Sequence, residues 1–154
     1  MPMELRPYQA EAVEAIEREW GLGRRATLLV LPTGCGKTVV FNEVARREVE
    51  RGGRVLVLAH RGELLEQAAD KLRRATGLAC SVEKAGDTSV GTFERVTVGS
   101  VQTLMRERRL AALGRDRFSL IVVDEAHHAV SASYRSVLDF FDAARVLGVT
   151  ATAD

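Results

Sequence analysis

The sequence predicts an α/β domain in which a mostly parallel sheet is covered by helices on both faces. Short apolar runs alternate with amphipathic stretches along all 154 residues, and this alternation favours parallel strands joined by helical crossovers. The length fits a single domain with its own core. A charged fraction of 28% beside a hydrophobic fraction of 46% excludes a disordered chain or a coiled coil.

Each predicted element follows from its pattern and its boundary residues. Pro7 suits a first helical position, and Gly77 suits the residue just past a helix end. The run 26–31 has no polar alternation, which predicts a strand buried on both faces. We expect helices over 6–20, 37–51, 61–76, 100–113 and 131–143, and strands over 26–31, 54–59, 79–83, 95–99, 118–123 and 145–149. The polar, glycine-bearing segment 84–94 is expected to be either a loop or a short hairpin.

The cysteine content indicates a cellular compartment, but the net charge does not indicate a binding partner. The net charge of +1 argues neither for nor against nucleic acid. Two cysteines, Cys35 and Cys80, do not form a disulfide framework, so a reducing cytoplasm is expected. No apolar run reaches the ~20 residues of a membrane helix, and no membrane role is predicted. Because the last strand has no closing helix after it, we expect 1–154 to be a piece of a longer protein.

A glycine-rich turn between a strand and a helix predicts a phosphate-binding loop. It reads Thr33-Gly34-Cys35-Gly36-Lys37-Thr38. Glycines let backbone N–H groups wrap an anion, and the helix dipole favours negative charge at the same point. Lys37 is then expected to reach the β- and γ-phosphates, and the Thr38 hydroxyl to ligate Mg²⁺. The general pattern has Gly where this chain has Leu31.

Two acidic residues follow the strand 118–123 and are expected at the same sheet edge. Ligands of open α/β sheets bind off the carboxyl ends of the strands. Asp124 is predicted to hold Mg²⁺, and Glu125 to orient and deprotonate an attacking water. The pair His127 and His128 lacks a third ligand at metal-binding spacing, which argues against a histidine metal site.

These motifs, in this order, resemble the first RecA-like lobe of a superfamily 2 helicase or translocase of the DEAH/DExH type. The DNA-directed members, Rad25-like helicases and restriction-enzyme motor subunits, are the most similar in pattern. The resemblance spans residues 5–152 and includes Asp124-Glu-Ala-His127 as motif II and Thr150-Ala-Thr152 as motif III. In this family the phosphate loop does not require the first glycine, so Leu31 agrees with it. Ala153 stands where the family usually has proline.

The resemblance implies roles for further residues. Arg6 and Gln9 lie in a segment similar to the adenine-reading Q motif. Segments similar to the strand-contacting motifs supply four candidate nucleic-acid contacts, Arg61, Ser100, Gln102 and Thr103. His127, Thr150 and Thr152 are implied to couple nucleotide state to lobe movement. From the residues alone, Ser100 serves equally well as a helix cap.

The expected function is therefore the ATP-binding lobe of an ATP-dependent DNA helicase or translocase, with ATP and Mg²⁺ as cofactors. Its partners would be DNA, with RNA as an alternative, and a second RecA-like lobe that supplies an arginine finger. Without that lobe, 1–154 is expected to be nearly inactive. A nucleic-acid-binding ATP switch with little hydrolysis is the alternative. A small-molecule kinase would need a lid, for which only 84–94 is available.

Overall fold

Six parallel strands form one sheet with helices on both faces. The computed structural model describes residues 5–32, 36–59, 65–83, 94–124, 126 and 131–151. In chain order the elements are α1 (Pro7–Gly21), β1 (Ala26–Leu31), α2 (Lys37–Glu50), β2 (Val55–Ala59), α3 (Leu65–Thr76), β3 (Cys80–Glu83), β4 (Val96–Ser100), α4 (Val101–Leu104), α5 (Glu107–Leu113), β5 (Leu120–Asp124), α6 (Ala132–Phe140) and β6 (Arg145–Ala151). The strand order is β1-β6-β5-β2-β4-β3. The predicted three-layer α/β class is confirmed, and every described strand pair is parallel.

Alternate residues of the central strands divide the core between the two faces of the sheet. Val55 and Val57 of β2 pack in the cluster that contains α1, α2 and α3. Leu56 and Leu58 point to the other cluster, which contains α4, α5 and α6. Helices on both faces explain why these strands lack polar alternation. No described helix has the length and hydropathy needed to cross a bilayer.

The prediction that β1 is buried on both faces is wrong. Leu29 is buried, but Leu28 and Val30 are 57% and 44% exposed. β1 lies at the end of the sheet, and among the described strands it pairs with β6 alone. Helices α1 and α2 contact it, and no described helix covers its other face. An apolar run therefore indicated a strand correctly but did not indicate that the strand lies at an edge.

The single helix predicted over 100–113 is two helices, α4 and α5, separated at Met105 and Arg106. Val101 and Leu110 are nine residues apart in the sequence, about two and a half helical turns. One continuous helix would point them in opposite directions. Both are buried in the same core cluster, and the extended backbone of Arg106, with ψ at 129°, permits this.

Candidate nucleotide-binding site

The candidate site lies where the carboxyl ends of the parallel strands meet. Lys37 is the first residue of α2, six residues after the end of β1. Asp124 is the last residue of β5. Only β6 separates β1 from β5 in the sheet. The fold thus brings together two motifs that are almost ninety residues apart in the sequence.

Lys37 and Asp124 form an ion pair at this edge. Lys37 Nζ lies 3.8 Å from Asp124 Oδ1, and each side chain is about one quarter exposed. This separation is longer than that of a charge-assisted hydrogen bond. Lys37 also stands at the first residue of α2, where the helix dipole favours anions, and an ammonium at this position suits the phosphates of a nucleotide.

The donor set beside this ion pair fits Mg²⁺. Thr38 and Asp124 line the same cavity, so a hydroxyl-bearing and a carboxylate-bearing residue border a common space. Mg²⁺ prefers oxygen ligands, keeps much of its water, and is often bound by one or two protein oxygens together with substrate phosphates. Thr38 and Asp124 would hold the ion in this way.

Gly36 needs to be glycine for two reasons. It precedes α2 with φ at +79°, a left-handed conformation that residues with a Cβ adopt at a cost. A Cβ at this position would also collide with Nε2 of Gln9. The first helix therefore packs directly against the last turn of the predicted phosphate loop.

Gln9 is buried, with 5% of its surface exposed. Its Oε1 accepts a hydrogen bond of 2.9 Å from the backbone N–H of Arg6. Arg6 is the exposed residue that precedes α1. The two residues expected to read adenine are thus joined to each other at the start of α1 and lie beside Gly36. Their role toward the base stays a prediction.

Among the candidate nucleic-acid contacts, Ser100 caps α4. Its Oγ accepts a hydrogen bond of 3.2 Å from the backbone N–H of Thr103 and contacts the Thr103 hydroxyl at 3.2 Å. Thr103 is buried, with 8% exposed, whereas Gln102 is partly exposed. The capping interpretation of Ser100 is confirmed, and contact with a nucleic acid remains a prediction for all three residues.

Thr150 is partly buried in β6 and pairs with Val30 of β1. It therefore lies on the strand between the two motifs described above. The remaining predicted site residues lie outside the described part of the chain: Thr33, Gly34, Cys35, Arg61, Glu125, His127 and Thr152. Their assignments rest on the sequence.

Three polar residues beside the site were missed by sequence reasoning. Asn42, Gln67 and Lys71 line the same cavity as Thr38 and Asp124. A signal for Asn42 was present, because it stands four residues after Thr38 in a run of buried residues on α2. A polar residue at a core position of an amphipathic helix is a reason to look for a partner.

Comparison with known proteins agrees with this geometry. The family model described as "Type III restriction enzyme, res subunit" matches residues 2–154. The chain belongs to this family. Its relatives include superfamily 2 helicases, so this is a helicase-family domain with the RecA-like fold.

Two curated relatives and one solved structure show how much of such a protein the chain represents. The chain is 35% identical to IRC3 of Saccharomyces cerevisiae, and the match covers 96% of this chain and 23% of IRC3. It is 31% identical to the DNA 3'-5' translocase XPB2 of Sulfurisphaera tokodaii, over 99% of the chain and 31% of XPB2. The Pyrococcus furiosus Hef helicase domain superposes with a TM-score of 0.76 at 26% identity, over 96% of this chain and 33% of that one. The chain thus spans a third or less of each.

Proposed function

We propose that this domain is the ATP-binding lobe of an ATP-dependent DNA helicase or translocase, and that hydrolysis requires a second RecA-like lobe. The placement of Lys37 at the start of α2, 3.8 Å from Asp124 at the end of β5, carries the proposal. The hydroxyl of Thr38 beside this pair completes a site suited to a magnesium nucleotide. DNA is favoured over RNA because of the restriction-enzyme family and the DNA translocase among the relatives.

In this proposal each residue has a separate task. Lys37 binds the β- and γ-phosphates, while Thr38 and Asp124 hold Mg²⁺, which neutralises charge on the phosphate oxygens. Glu125 orients the attacking water and accepts its proton. The backbone of residues 33–36 surrounds the phosphates, and Gln9 with Arg6 reads the base.

The second lobe is needed because phosphoryl transfer depends on positioning and on stabilising charge at the transferring oxygens. An arginine finger from across a cleft is worth ~10³–10⁵ in rate in related chemistry. Arg61, Ser100, Gln102 and Thr103 would supply half of a strand-binding surface. His127, Thr150 and Thr152 would transmit the state of the nucleotide to the other lobe. The partial coverage of the relatives agrees with a longer parent protein.

The test compares residues 1–154 with a longer protein that includes the downstream lobe. We expect the short chain to bind ATP weakly, turn over very slowly and leave a duplex intact. The longer protein should hydrolyse ATP faster by orders of magnitude and respond to single-stranded DNA more than to RNA of the same sequence. Stimulation mainly by RNA would identify an RNA-directed motor instead.

Glu125→Gln in the longer protein should abolish turnover while ATP stays bound, because the amide cannot accept the proton of the attacking water. If the unmodified longer protein binds ATP and DNA without significant hydrolysis, the ATP-switch alternative is correct. Robust DNA-stimulated hydrolysis by residues 1–154 alone would contradict the need for a second lobe.

A further inference from the structure

A cavity of about 290 Å³ lies between α2 and α3, next to the candidate nucleotide site. Thr38 and Asp124 are part of its wall, so it reaches the proposed metal ligands. Its composition is mixed, with an apolar floor and several polar side chains. The apolar residues are Phe41, Val57, Ala68, Leu72 and Val98, and the additional polar residues are Asn42, Gln67 and Lys71.

Asn42 is the residue in this cavity whose position most needs an explanation. Only 6% of its surface is exposed, and its Oδ1 has no hydrogen-bond partner among the described residues. An acceptor buried without a donor is costly, and native structures usually satisfy it with protein or with an ordered water. A Leu or Val would pack here without that cost.

The position of Asn42 on α2 connects it to the metal site. Residues four apart lie on the same face of a helix, so Asn42 is stacked one turn below Thr38. Oδ1 is shielded from solvent in the observed orientation, and rotation of the carboxamide about the soft Cβ–Cγ torsion would turn it toward the cavity that Asn42 lines. Asn42 can therefore present an acceptor to the space that Thr38 and Asp124 share.

Water is the ligand that this cavity suits. Its volume accommodates several molecules, and a buried water needs two to four polar partners. Asn42, Gln67 and Lys71 supply amide and ammonium groups on two helices, and Thr38 and Asp124 add oxygen-bearing side chains to the cavity wall. A cluster of waters here would be held from three sides.

We propose that Asn42 is a positioning residue for the magnesium nucleotide, acting through an ordered water cluster in this cavity. The inference rests on the proposed nucleotide site. Mg²⁺ keeps several of its waters when bound to a protein, and groups that hydrogen-bond to a metal's ligands contribute strongly to its affinity. Asn42 anchors the far end of the cluster, and Thr38 and Asp124 hold the near end.

The test separates metal binding from nucleotide binding. Mn²⁺ is titrated into the complex of residues 1–154 with ADP and followed by electron paramagnetic resonance. Asn42→Leu, which keeps the branching and the number of heavy atoms of the side chain, should raise the Kd of Mn²⁺ about tenfold, at the low end of the range for such outer contacts. The affinity for ADP in EDTA should change less than about twofold. Asn42→Asp keeps an acceptor and should restore metal binding to at least the wild-type level.

Thr76→Val is the matched control. Thr76 is also a buried polar residue, with 8% exposed, and its hydroxyl donates to the carbonyl of Leu72 within α3. It lines a separate small cavity. This variant should lose stability and keep the wild-type Kd for Mn²⁺. A loss of metal affinity equal to that of Asn42→Leu would overturn the inference, because it would reflect general loosening of α3.

The remaining outcomes are equally decisive. If wild-type protein binds Mn²⁺–ADP and Asn42→Leu binds it equally well, the inference is wrong and the proposed nucleotide site stands. If Asn42→Leu weakens ADP binding equally with and without metal, Asn42 acts on the nucleotide and the inference is also wrong. If wild-type protein shows no metal-dependent ADP binding at all, both the inference and the proposed nucleotide site fail.

Discussion

Polar side chains at the two edges of the sheet differ in their burial and in the distances to their partners. At the amino edge, Glu48 is 3% exposed and accepts hydrogen bonds from Ser119 Oγ at 2.6 Å and Arg145 Nη2 at 2.9 Å. At the carboxyl edge, Lys37 and Asp124 are 3.8 Å apart beside a cavity. Buried groups with short hydrogen bonds hold the fold together at one edge, whereas a more widely spaced ion pair lies beside a cavity at the other.

Arginines extend the paired network of the amino edge. The guanidinium of Arg145 lies 5.1 Å from the centroid of the Trp20 ring. Arg25 donates to the carbonyls of Leu138, Phe141 and Ala144 at 2.7–2.9 Å, which fixes the end of α6 against the start of β1. This difference predicts that substitutions at the amino edge change stability and that substitutions at the carboxyl edge change binding.

Glu48→Ala should give the largest loss of stability. It leaves Ser119 and Arg145 without their shared acceptor, and removing one partner of a buried charge pair is strongly destabilising. Because Arg145 is partly exposed, we expect a loss of about 2–3 kcal/mol in the free energy of unfolding. Urea denaturation measures it. Nucleotide affinity of the folded variant should stay unchanged, and a tenfold loss of affinity would contradict the separation of the two edges.

Gly53→Ala should give a smaller loss at the same edge. A Cβ at this position would collide with Ser119 Oγ and Glu48 Oε2, and overpacking typically costs about 1–3 kcal/mol. Gly21→Ala is the matched control, since no atom lies within 4 Å of its added Cβ. The midpoints of thermal unfolding of the two variants should therefore differ clearly. Equal midpoints would show that the Glu48 network adapts more easily than its contacts indicate.

The two cysteines allow the edges to be compared chemically. Cys80 begins β3 and is 5% exposed, and burial raises the pKa of its thiol to about 11. At pH 8 it should remain protonated and react slowly. Cys35 is predicted at the N-terminus of α2, where a thiol's pKa tends to fall, and its alkylation is proposed to block ATP binding.

Mass spectrometry after alkylation of folded protein at pH 8 should find the label on Cys35, and Cys80 should react only after unfolding. Preferential labelling of Cys80 would contradict this prediction. Labelling of Cys35 that leaves ATP affinity unchanged would show that the side chain at this position does not affect the phosphate loop.

Glu43, midway along α2, should have the smallest effect. Hydrogen bonds from Arg46 at 2.8 Å and 3.0 Å and from Arg47 at 2.7 Å lower the pKa of its carboxyl below the ordinary 4.5. A lowered pKa stabilises the folded state above the ordinary value, and this contribution is lost as pH falls through the folded-state pKa.

Wild-type protein should therefore be more stable than Glu43→Gln at pH 7, and the difference should shrink below pH 4.5. Glu50→Gln, at an exposed partner of Arg46, is the control and should show little pH dependence. A difference that grows in acid would have the wrong sign for this explanation.

The sequence predicted the elements well because their signals are local. The apolar run of β5 and the cap at Ser100 depend on neighbours in the chain, and both were confirmed. The exposed face of β1 and the break before α5 were not predicted, because they depend on which other elements lie alongside. The partners of Glu48 come from segments 71 and 97 residues away, so no local pattern indicates them.

In the candidate site too, some residues could be predicted from local sequence and others depend on tertiary packing. Lys37 and Asp124 stand in motifs whose spacing indicates phosphate and metal chemistry, and the structure brings them together. The surroundings of Asn42 were not predicted, because the cavity is formed by residues of α2, α3, β2 and β4 that are distant in the sequence. Sequence motifs indicate the residues that are expected to contact a ligand. The residues that support them can be identified only from the packed fold.

The most direct test of the account is calorimetric titration of ATP with Mg²⁺ into residues 1–154 and into Lys37→Ala. Lys37 contributes a charge-assisted hydrogen bond to the phosphates, a type of contact worth about 1.5–3 kcal/mol. Wild-type protein should bind, and the variant should bind at least about tenfold more weakly while its circular dichroism spectrum and unfolding midpoint stay close to wild type. Equal ATP affinity in the two folded proteins would contradict the assignment of this edge as a nucleotide site.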